Sequence, residues 1–344
     1  MLAVAIPSSG RPASRPTLEQ LVGERLVVAM SGTAPSASLL ARIRRGDVGG
    51  VILFGSNVRS PDQVRALTAS LAAAASAGGR PRPLLLTDQE GGAVRRFPWA
   101  PPLLPAARLG TLAAASVRAQ GRATATALRS LGVDVDLAPV ADVPHIAGSF
   151  IARQARAFST DPNRVASLAA AFAQGLADGG VAATGKHFPG LGGARVSTDV
   201  SAVTIGESRA RLAADLIPYR KLIASGVPLV MLSNATYTVL DAKPAVWSPA
   251  AERLLRGRLG FTGVTITDAL DAAGPTHGRT VASAAVLAAE AGVDLLLVTG
   301  SEAESRAVFQ RLLVAARDGR ISLADLERSS ARIAALEARL SARA

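Results

Sequence analysis

The stretch RVASLAAAFAQGLADGGVAATGKHF, residues 164–188, joins two different patterns of apolar residues. Residues 164–179 carry alanine, leucine, valine and phenylalanine at the spacing of an amphipathic helix, and they end at a Gly-Gly pair. Residues 181–188 then form a short, mostly apolar run, which is typical of a strand buried on both faces. A helix that leads directly into such a strand is half of a parallel βαβ unit.

The same alternation of strand and helix extends along the whole chain. Apolar runs predict eight strands, at 24–30, 49–55, 83–88, 133–140, 181–188, 228–234, 263–268 and 293–300. Helical patterns predict helices at 61–77, 112–131, 164–179, 209–225, 280–291, 302–318 and 323–340. Eight such strands close a barrel, and after residue 17 there is no linker-like segment long enough to separate domains. The sequence therefore predicts an α/β fold with one (β/α)8 TIM barrel domain at 18–344, preceded by a disordered tail at 1–17.

The composition describes a chain with a large core and a basic surface. Of the 344 residues, 49% are hydrophobic and 19% are charged, and the net charge is +12. The positive charges are mostly scattered arginines without a long basic run, and only 3% of residues are aromatic, so we expect no specific nucleic-acid partner. The absence of cysteine from the sequence excludes disulfides and thiolate chemistry.

The N-terminal sequence MLAVAIPSSGRPASRP predicts neither a signal peptide nor a membrane anchor. Its apolar run has no basic residue ahead of it, and a membrane span needs about twenty apolar residues. We expect no transmembrane segment and a monomer. The compartment stays open: cytoplasmic as the sequence stands, or extracellular if a signal has been removed.

Polar side chains follow several of the predicted strands at the point where each strand ends. They are Asp88, Lys186, His187, Asn234 and Asp268. In parallel barrels the active site forms at this end of the strands. An open doubly wound sheet would also carry polar residues there, so the pattern indicates a site more firmly than it indicates closure.

Asp268 ends an entirely apolar strand, where a carboxylate is costly to bury without a partner. One alternative is a helix N-cap, a position at which aspartate is favoured. The segment ALDAAGPTHG that follows contains Gly and Pro, and we expect it not to be helical at once. This weakens the capping interpretation.

Three further motifs offer polar groups to a ligand. DQEGGAVRR pairs Asp88 with Arg96 across a Gly-Gly turn, which by itself also fits a turn with a local salt bridge. A lysine at a strand end is costly to desolvate, so Lys186 beside His187 favours a functional role. Arg156 precedes a capping Asp-Pro and alone indicates only a helix start. The other histidines stand apart in sequence, so neither a metal site nor a cofactor is predicted.

Together, DQEGG.V.R, KHFPG.G, PY..LI and GF.GV..TDAL resemble the catalytic domain of glycoside hydrolase family 3, in particular its single-domain bacterial β-N-acetylhexosaminidases. The resemblance covers residues 20–300. It implies a carbohydrate substrate and a nucleophilic role for Asp268, which would attack the anomeric carbon. It assigns substrate binding to Asp88, Arg96, Arg156, Lys186 and His187, and we add Asn234 from its position at a strand end.

The resemblance fails in the loop after KHFPG. The family pattern ends there in Asp-Ser-His, whose histidine is the general acid/base, but this chain has Ser197, Thr198 and Asp199, with Leu191 in place of an earlier histidine. A carboxylic acid can exchange the proton if its pKa is raised, so our hypothesis makes Asp199 the acid/base. A two-residue slip would instead leave Ser201 at the histidine's place, and serine could not supply the proton.

The main functional hypothesis is an exo-acting retaining β-glycosidase that releases β-linked N-acetylglucosamine from peptidoglycan fragments or chitooligosaccharides. Because an anionic Asp199 would face the incoming acceptor, we predict hydrolysis rather than phosphorolysis. Three alternatives stay open: a non-catalytic sugar-binding barrel that has lost its proton donor, a β-glucosidase-type member of the family, and a Schiff-base aldolase that uses Lys186.

Overall fold

The computed structural model describes residues 15–342. The disordered tail predicted at 1–17 lies almost entirely outside the described residues. Eight parallel strands form the central sheet: β1 (Leu26–Ala29), β2 (Gly50–Leu53), β3 (Leu84–Thr87), β4 (Val135–Asp136), β5 (Ala182–Phe188), β6 (Leu229–Leu232), β7 (Val264–Thr267) and β8 (Leu296–Val298). Each lies within a predicted run, so all eight predicted strands are confirmed.

The strands follow one another around the sheet in the order β7-β6-β5-β4-β3-β2-β1-β8, and all of the pairings are parallel. The two ends of this sheet also meet. The Leu295 backbone N–H donates to the Thr265 carbonyl at 2.9 Å, and the Thr267 N–H donates to the Leu295 carbonyl at 3.0 Å. The predicted barrel is therefore confirmed, and the open doubly wound sheet is wrong.

Successive residues of each strand belong to two different apolar layers, because strand side chains alternate between faces. Val27, Ile52 and Leu86 belong to the cluster inside the barrel, whereas Val28 and Leu85 belong to the larger cluster under the helices. Both layers are buried, which explains why the strand sequences are apolar at nearly every position.

The helices cover the outside of the barrel. The longer ones are Ala37–Arg45, Pro61–Ala77, Ala114–Arg129, Pro162–Asp178, Arg209–Ala224, Val281–Ala291, Glu302–Arg317 and Leu323–Ser341. Shorter ones are Leu18–Gly23, Ala106–Leu109, Phe150–Arg153, Pro249–Glu252, Leu270–Thr276 and a π-helical turn at Arg253–Arg258, with 3₁₀ turns at Gly55–Asn57 and Ala245–Trp247. The seven predicted helices are confirmed, but Ala37–Arg45 and most of the short ones were not predicted. Within residues 15–342, every helix is too short or too polar to cross a bilayer.

The last helix, Leu323–Ser341, closes one end of the barrel. Its residues Ile333, Leu336 and Leu340 belong to the apolar cluster inside the barrel, together with Leu84 at the start of β3. The helix therefore covers the end at which the strands begin. The opposite end, where the strands finish, is left for the connecting loops and a cavity.

Candidate active site

A cavity of about 360 Å³ opens at the C-terminal ends of the strands. Its walls contain nearly all of the side chains predicted for the site, namely Asp88, Arg96, Arg156, Lys186, His187, Asp199 and Asp268. Apolar side chains from inside the barrel, including Ile52, Leu137 and Met231, form part of its lining. The structure thus brings these residues together from five different loops and strands.

Lys186 and His187 are consecutive residues of β5, yet both line the cavity. Ordinary strand geometry would send them to opposite faces. The pairing register between β5 and β6 shifts between Gly185 and Phe188, so the alternation is interrupted at these two residues. Both side chains are buried, with 2% and 5% of their surface exposed.

Lys186 and Arg156 are held by carboxylates in a buried ionic cluster. The Lys186 ammonium lies 2.6 Å from Asp88 Oδ1 and 2.7 Å from Glu90 Oε1. The Arg156 guanidinium donates to both Glu90 oxygens, at 2.7 and 2.8 Å. Burial alone would lower the pKa of Lys186, but the charges of Asp88 and Glu90 outweigh it and raise that pKa above its usual value. The lysine is therefore a cation, which disfavours the Schiff-base alternative.

Glu90 was not assigned a role in the sequence analysis, although it lies in the DQEGG motif. Burial would raise the pKa of Glu90, but the charges of Arg156 and Lys186 outweigh it and hold that pKa well below its usual value. It sits in a hairpin, Gln89–Gly91 with Val94–Arg95, that follows β3. Glu90 is thus an ionised bridge between the two cations.

Arg96 lies at the edge of this cluster. Its guanidinium is 3.7 Å from Asp88 Oδ2 and lies over the Phe54 ring at 5.5 Å from the centroid. The predicted Asp88–Arg96 pair therefore exists, but it is looser than the Asp88–Lys186 contact. Arg96 keeps donor capacity that can face a ligand.

Asp142 is a second acidic residue that was not predicted. It is fully buried, and one carboxylate makes three contacts: His187 Nδ1 at 2.8 Å, the His187 backbone N–H at 3.1 Å and the Leu191 backbone N–H at 2.7 Å. Because the Asp142 carboxylate can only accept, Nδ1 of His187 donates its proton to it. Nε2 is then the ring nitrogen available to a ligand in the cavity that His187 lines. Asp142 also fixes Leu191, at the start of the loop 189–201.

Asp268 directly follows β7 and lines the cavity. Its Oδ1 accepts a hydrogen bond from the Ala269 backbone N–H at 2.8 Å. Burial raises the pKa of Asp268, the imidazole of His187 counteracts this, and the negative charge of Asp199 raises it further. The two aspartates are thus close enough to influence one another.

The segment after Asp268 differs from the sequence-based expectation. It is helical at once, at Leu270–Thr276, because Gly274 and Pro275 occupy the last turn and end the helix rather than prevent it. The capping alternative for Asp268 nevertheless fails, since the N-cap residue is Ala269, which makes no side-chain capping bond.

Asn234 is the predicted site residue that the structure places elsewhere. Its side chain is buried and does not line the cavity. Its Nδ2 donates to the Ala269 carbonyl at 2.9 Å, one residue after Asp268. Asn234 thus supports the backbone beside the predicted nucleophile, and its direct contact with substrate stays a prediction.

Asp199 lies on the loop between β5 and the helix Arg209–Ala224, and it is exposed at the mouth of the cavity. Its Oδ2 accepts a hydrogen bond from the Ser197 hydroxyl at 3.0 Å, and its backbone N–H donates to that hydroxyl oxygen at 3.1 Å. Ser197 and Thr198 also line the cavity, as does Leu191 at the start of the loop. The loop therefore presents one carboxylate above the predicted nucleophile.

Thr299, after β8, is a further lining residue that was not predicted. Asp271 holds it by accepting from the Thr299 backbone N–H at 2.7 Å and from its hydroxyl at 2.6 Å. With its proton donated to Asp271, the hydroxyl oxygen can only accept hydrogen bonds from a ligand. The cavity as a whole offers cationic donors at its base, the partly buried carboxylate of Asp268 beside them and the exposed carboxylate of Asp199 at its mouth. This arrangement suits a polyhydroxylated ligand.

The structure also places one of the remaining histidines beside other potential metal ligands. His145 lies beside Glu207 and Asp215, outside the cavity, with ligand atoms within 4.8 Å of one another. His145 lies 62 positions before Glu207, so the sequence spacing gave no signal.

This chain is similar to known proteins along most of its length. The family model described as Glycosyl hydrolase family 3 N terminal domain matches residues 17–336. A β-hexosaminidase of Pseudomonas aeruginosa is 36% identical over 297 residues, covering 84% of this chain and 87% of that protein. Both the fold and the family resemblance are therefore supported by sequence similarity along most of the chain.

Solved structures give the same result. The glycoside hydrolase family 3 β-N-acetylglucosaminidase of Paenibacillus sp. str. FPU-7 superposes with a TM-score of 0.89 at 33% identity, covering 96% of this chain and 64% of that chain. The β-N-acetylhexosaminidase of Beutenbergia cavernae superposes with a TM-score of 0.84 at 32% identity, covering 94% and 98%. This chain thus spans less than two thirds of the first protein but nearly all of the second.

Proposed function

This chain belongs to glycoside hydrolase family 3, and from that premise we propose that it is an exo-acting, retaining β-glycosidase. The substrate that we infer is a terminal β-linked N-acetylglucosamine on peptidoglycan fragments or chitooligosaccharides. The similarity to proteins named β-hexosaminidase and β-N-acetylglucosaminidase supports the sugar. A β-glucosidase-type specificity is the alternative within the family.

The observation that carries the proposal is the position of Asp268 opposite the ionic cluster. A carboxylate at the end of β7 shares one cavity with Lys186, Asp88 and Glu90 at the ends of β5 and β3. Charged groups that are held by fixed partners can bind vicinal hydroxyls of a sugar in one orientation. That orientation would place the anomeric carbon of the sugar beside the remaining carboxylate, Asp268. Asp268 would then form the covalent glycosyl-enzyme of a retaining mechanism.

Asp199 is the proposed general acid/base, because the leaving group must depart through the mouth of the cavity. Asp199 is exposed there, on the loop 189–201. His187 is a less suitable proton carrier for the leaving group, since only 5% of its surface is exposed. We assign His187 to the binding of a sugar hydroxyl through Nε2.

The same placement of Asp199 supports hydrolysis over phosphorolysis. During deglycosylation the group at the mouth removes a proton from the acceptor and is therefore an anion at the start of this step. An anion disfavours the approach of phosphate relative to neutral water. Formation of a sugar 1-phosphate on addition of phosphate would contradict this.

The nucleophile is tested with aryl β-glycosides that differ only at the second carbon of the sugar. The wild-type protein should hydrolyse the 2-acetamido sugar fastest, and Asp268→Asn should abolish turnover. Mass spectrometry of protein treated with a fluorinated inactivating glycoside should place the label on Asp268. A labelled residue other than Asp268, or sugar binding without any burst from an activated aryl glycoside, would refute the nucleophile and favour the non-catalytic alternative.

The acid/base assignment is tested with Asp199→Ala and the matched control Ser201→Ala. Asp199→Ala should slow substrates with poor leaving groups far more than activated ones, which need no acid for the first step, and added azide should restore turnover. Ser201→Ala should leave the rates unchanged. If Asp199→Ala hydrolyses every substrate at the wild-type rate, another group carries the proton.

A further inference from the structure

Three potential metal ligands meet at the base of the loop 189–201, outside the catalytic cavity. His145 lies in the segment after β4, Glu207 directly precedes the helix Arg209–Ala224, and Asp215 lies within that helix. Their nearest ligand atoms are all within 4.8 Å of one another. The proposed catalytic steps use none of these three side chains.

The hydrogen bonding of His145 leaves its second ring nitrogen as an acceptor. Its Nδ1 is 3.0 Å from the Val143 carbonyl oxygen, which can only accept, so the Nδ1 proton is donated there. In the neutral ring Nε2 then carries a lone pair, and it lies 2.5 Å from Glu207 Oε1. Both of these atoms are buried and make no hydrogen bond. At this distance the two acceptors repel one another unless a proton or a metal ion lies between them.

The charge around the cluster also favours a cation. Asp215 is buried and accepts a hydrogen bond from Arg211, and the Glu207 carboxylate belongs to the same cluster. Two carboxylates therefore face one guanidinium and a histidine ring. A divalent ion would supply the charge that this group of residues lacks.

We propose that His145, Glu207 and Asp215 bind one divalent transition-metal ion, for which zinc is the probe. One imidazole nitrogen and two carboxylates suit zinc, whereas magnesium and calcium prefer oxygen ligands alone. An Nδ1–H donated to a backbone carbonyl is also the usual arrangement of a metal-ligating histidine. Because ligand atoms of a tetrahedral zinc ion lie about 3.4 Å apart, binding would separate Nε2 and Oε1 by about 0.9 Å.

The ion would fasten the loop that carries Asp199. The loop packs directly on the cluster at Gly193, where an added Cβ would lie 2.1 Å from Glu207 Oε1 and 3.3 Å from His145 Cε1. At Gly190 an added Cβ would lie 3.0 Å from Asp215 Cβ. Glycine at both positions lets the loop rest against the three ligands, so the bound ion would link its base to the helix Arg209–Ala224.

The experiment uses the full chain, stripped with a chelator and dialysed, then titrated with zinc chloride by calorimetry. We expect one zinc ion per chain and a rise in Tm of about 4 °C at free zinc a hundredfold above Kd. His145→Ala and Glu207→Gln should each weaken binding about 100-fold. Asp268→Asn is the matched control: it should keep full zinc binding, because it removes a carboxylate only from the catalytic cavity. Magnesium should have no effect.

Two results would overturn the proposal. Zinc binding that survives His145→Ala and Glu207→Gln but is lost in Asp268→Asn would place the ion in the catalytic cavity. No zinc binding by the wild type would show that only a proton bridges His145 and Glu207. Anomalous diffraction at the zinc edge from soaked wild-type crystals gives a check that does not depend on the folding of any variant: the peak should lie between His145 and Glu207.

Discussion

The buried carboxylate of Glu90 offers the most direct test of how the ionic cluster is held. Glu90→Gln keeps the size of the side chain and removes the charge that pairs with Arg156 at 2.7 and 2.8 Å and with Lys186 at 2.7 Å. Removal of one partner from a buried ion pair costs about 3–5 kcal/mol. We expect the lower end, about 3 kcal/mol, because Lys186 retains Asp88 at 2.6 Å and glutamine can still accept a hydrogen bond.

Scanning calorimetry can measure this loss. A chain of 344 residues has an unfolding entropy of about 0.7 kcal/mol/K, so 3 kcal/mol lowers Tm by about 4 °C. The matched control is Glu19→Gln, which breaks the exposed pair with Arg317 at 2.9 Å. An exposed pair contributes less than about 1 kcal/mol, so the control should shift Tm by about 1 °C or less.

The pH dependence gives a second measurement with a defined sign. The pKa of Glu90 is held below its usual value of 4.5, so its ionic contribution is present above that pH and is lost as the pH falls below it. The difference in Tm between the wild type and Glu90→Gln should therefore narrow as the pH falls from 6 towards about 3. Equal Tm values for Glu90→Gln and Glu19→Gln at pH 7, or a difference that does not narrow, would refute the reasoning.

Three further predictions concern other buried or coupled groups. Asp142→Asn should lower kcat/KM by about 10- to 100-fold, because His187 loses the charged acceptor at its Nδ1; an unchanged kcat/KM would contradict this. In the pH profile of kcat/KM for an activated aryl glycoside, Asp199→Asn should move the acid limb to lower pH, because the charge of Asp199 helps to raise the pKa of Asp268. An acid limb that does not move would show that Asp199 has no part in setting the pKa of Asp268. Burial raises the pKa of Glu252 to about 7 from 4.5, so its contribution is full below pH 4.5 and is lost as the pH rises to 7. Between pH 4.5 and 7, the Tm of the wild type should therefore fall relative to the Tm of Glu252→Gln. A difference in Tm that stays constant over this interval would contradict the assignment.

The barrel could be predicted from sequence because the pattern of apolar residues that specifies each strand and helix is local. A parallel strand covered on both sides, such as the run around Val27 or Ile52, is apolar at consecutive positions, and the next helix follows within a few residues. The ends of those strands then locate Asp88, Lys186 and Asp268. The local rule failed at Leu270–Thr276, where Gly and Pro end a short helix instead of preventing it.

The unpredicted part of the site depends on contacts between distant residues. Glu90 reaches Arg156 across 66 positions, and Asp142 reaches His187 across 45. Each acid lies several residues after the end of its strand. A carboxylate in such a connecting segment is normally solvated, so its position alone does not indicate a buried role. The glutamate inside the DQEGG motif was the available signal for Glu90. His145 and Glu207 illustrate the same limit, since their proximity arises only when two loops pack together.

The helix Leu323–Ser341 has a consequence for biosynthesis. Ile333, Leu336 and Leu340 cover apolar side chains of the barrel interior that the earlier strands leave open. A ribosome that stopped near residue 320 would have released all eight strands as a tube with an uncovered hydrophobic opening, a typical target for chaperones and proteases. A premature stop codon near residue 320 would therefore be expected to remove the protein from the cell, even though every proposed catalytic residue had been translated.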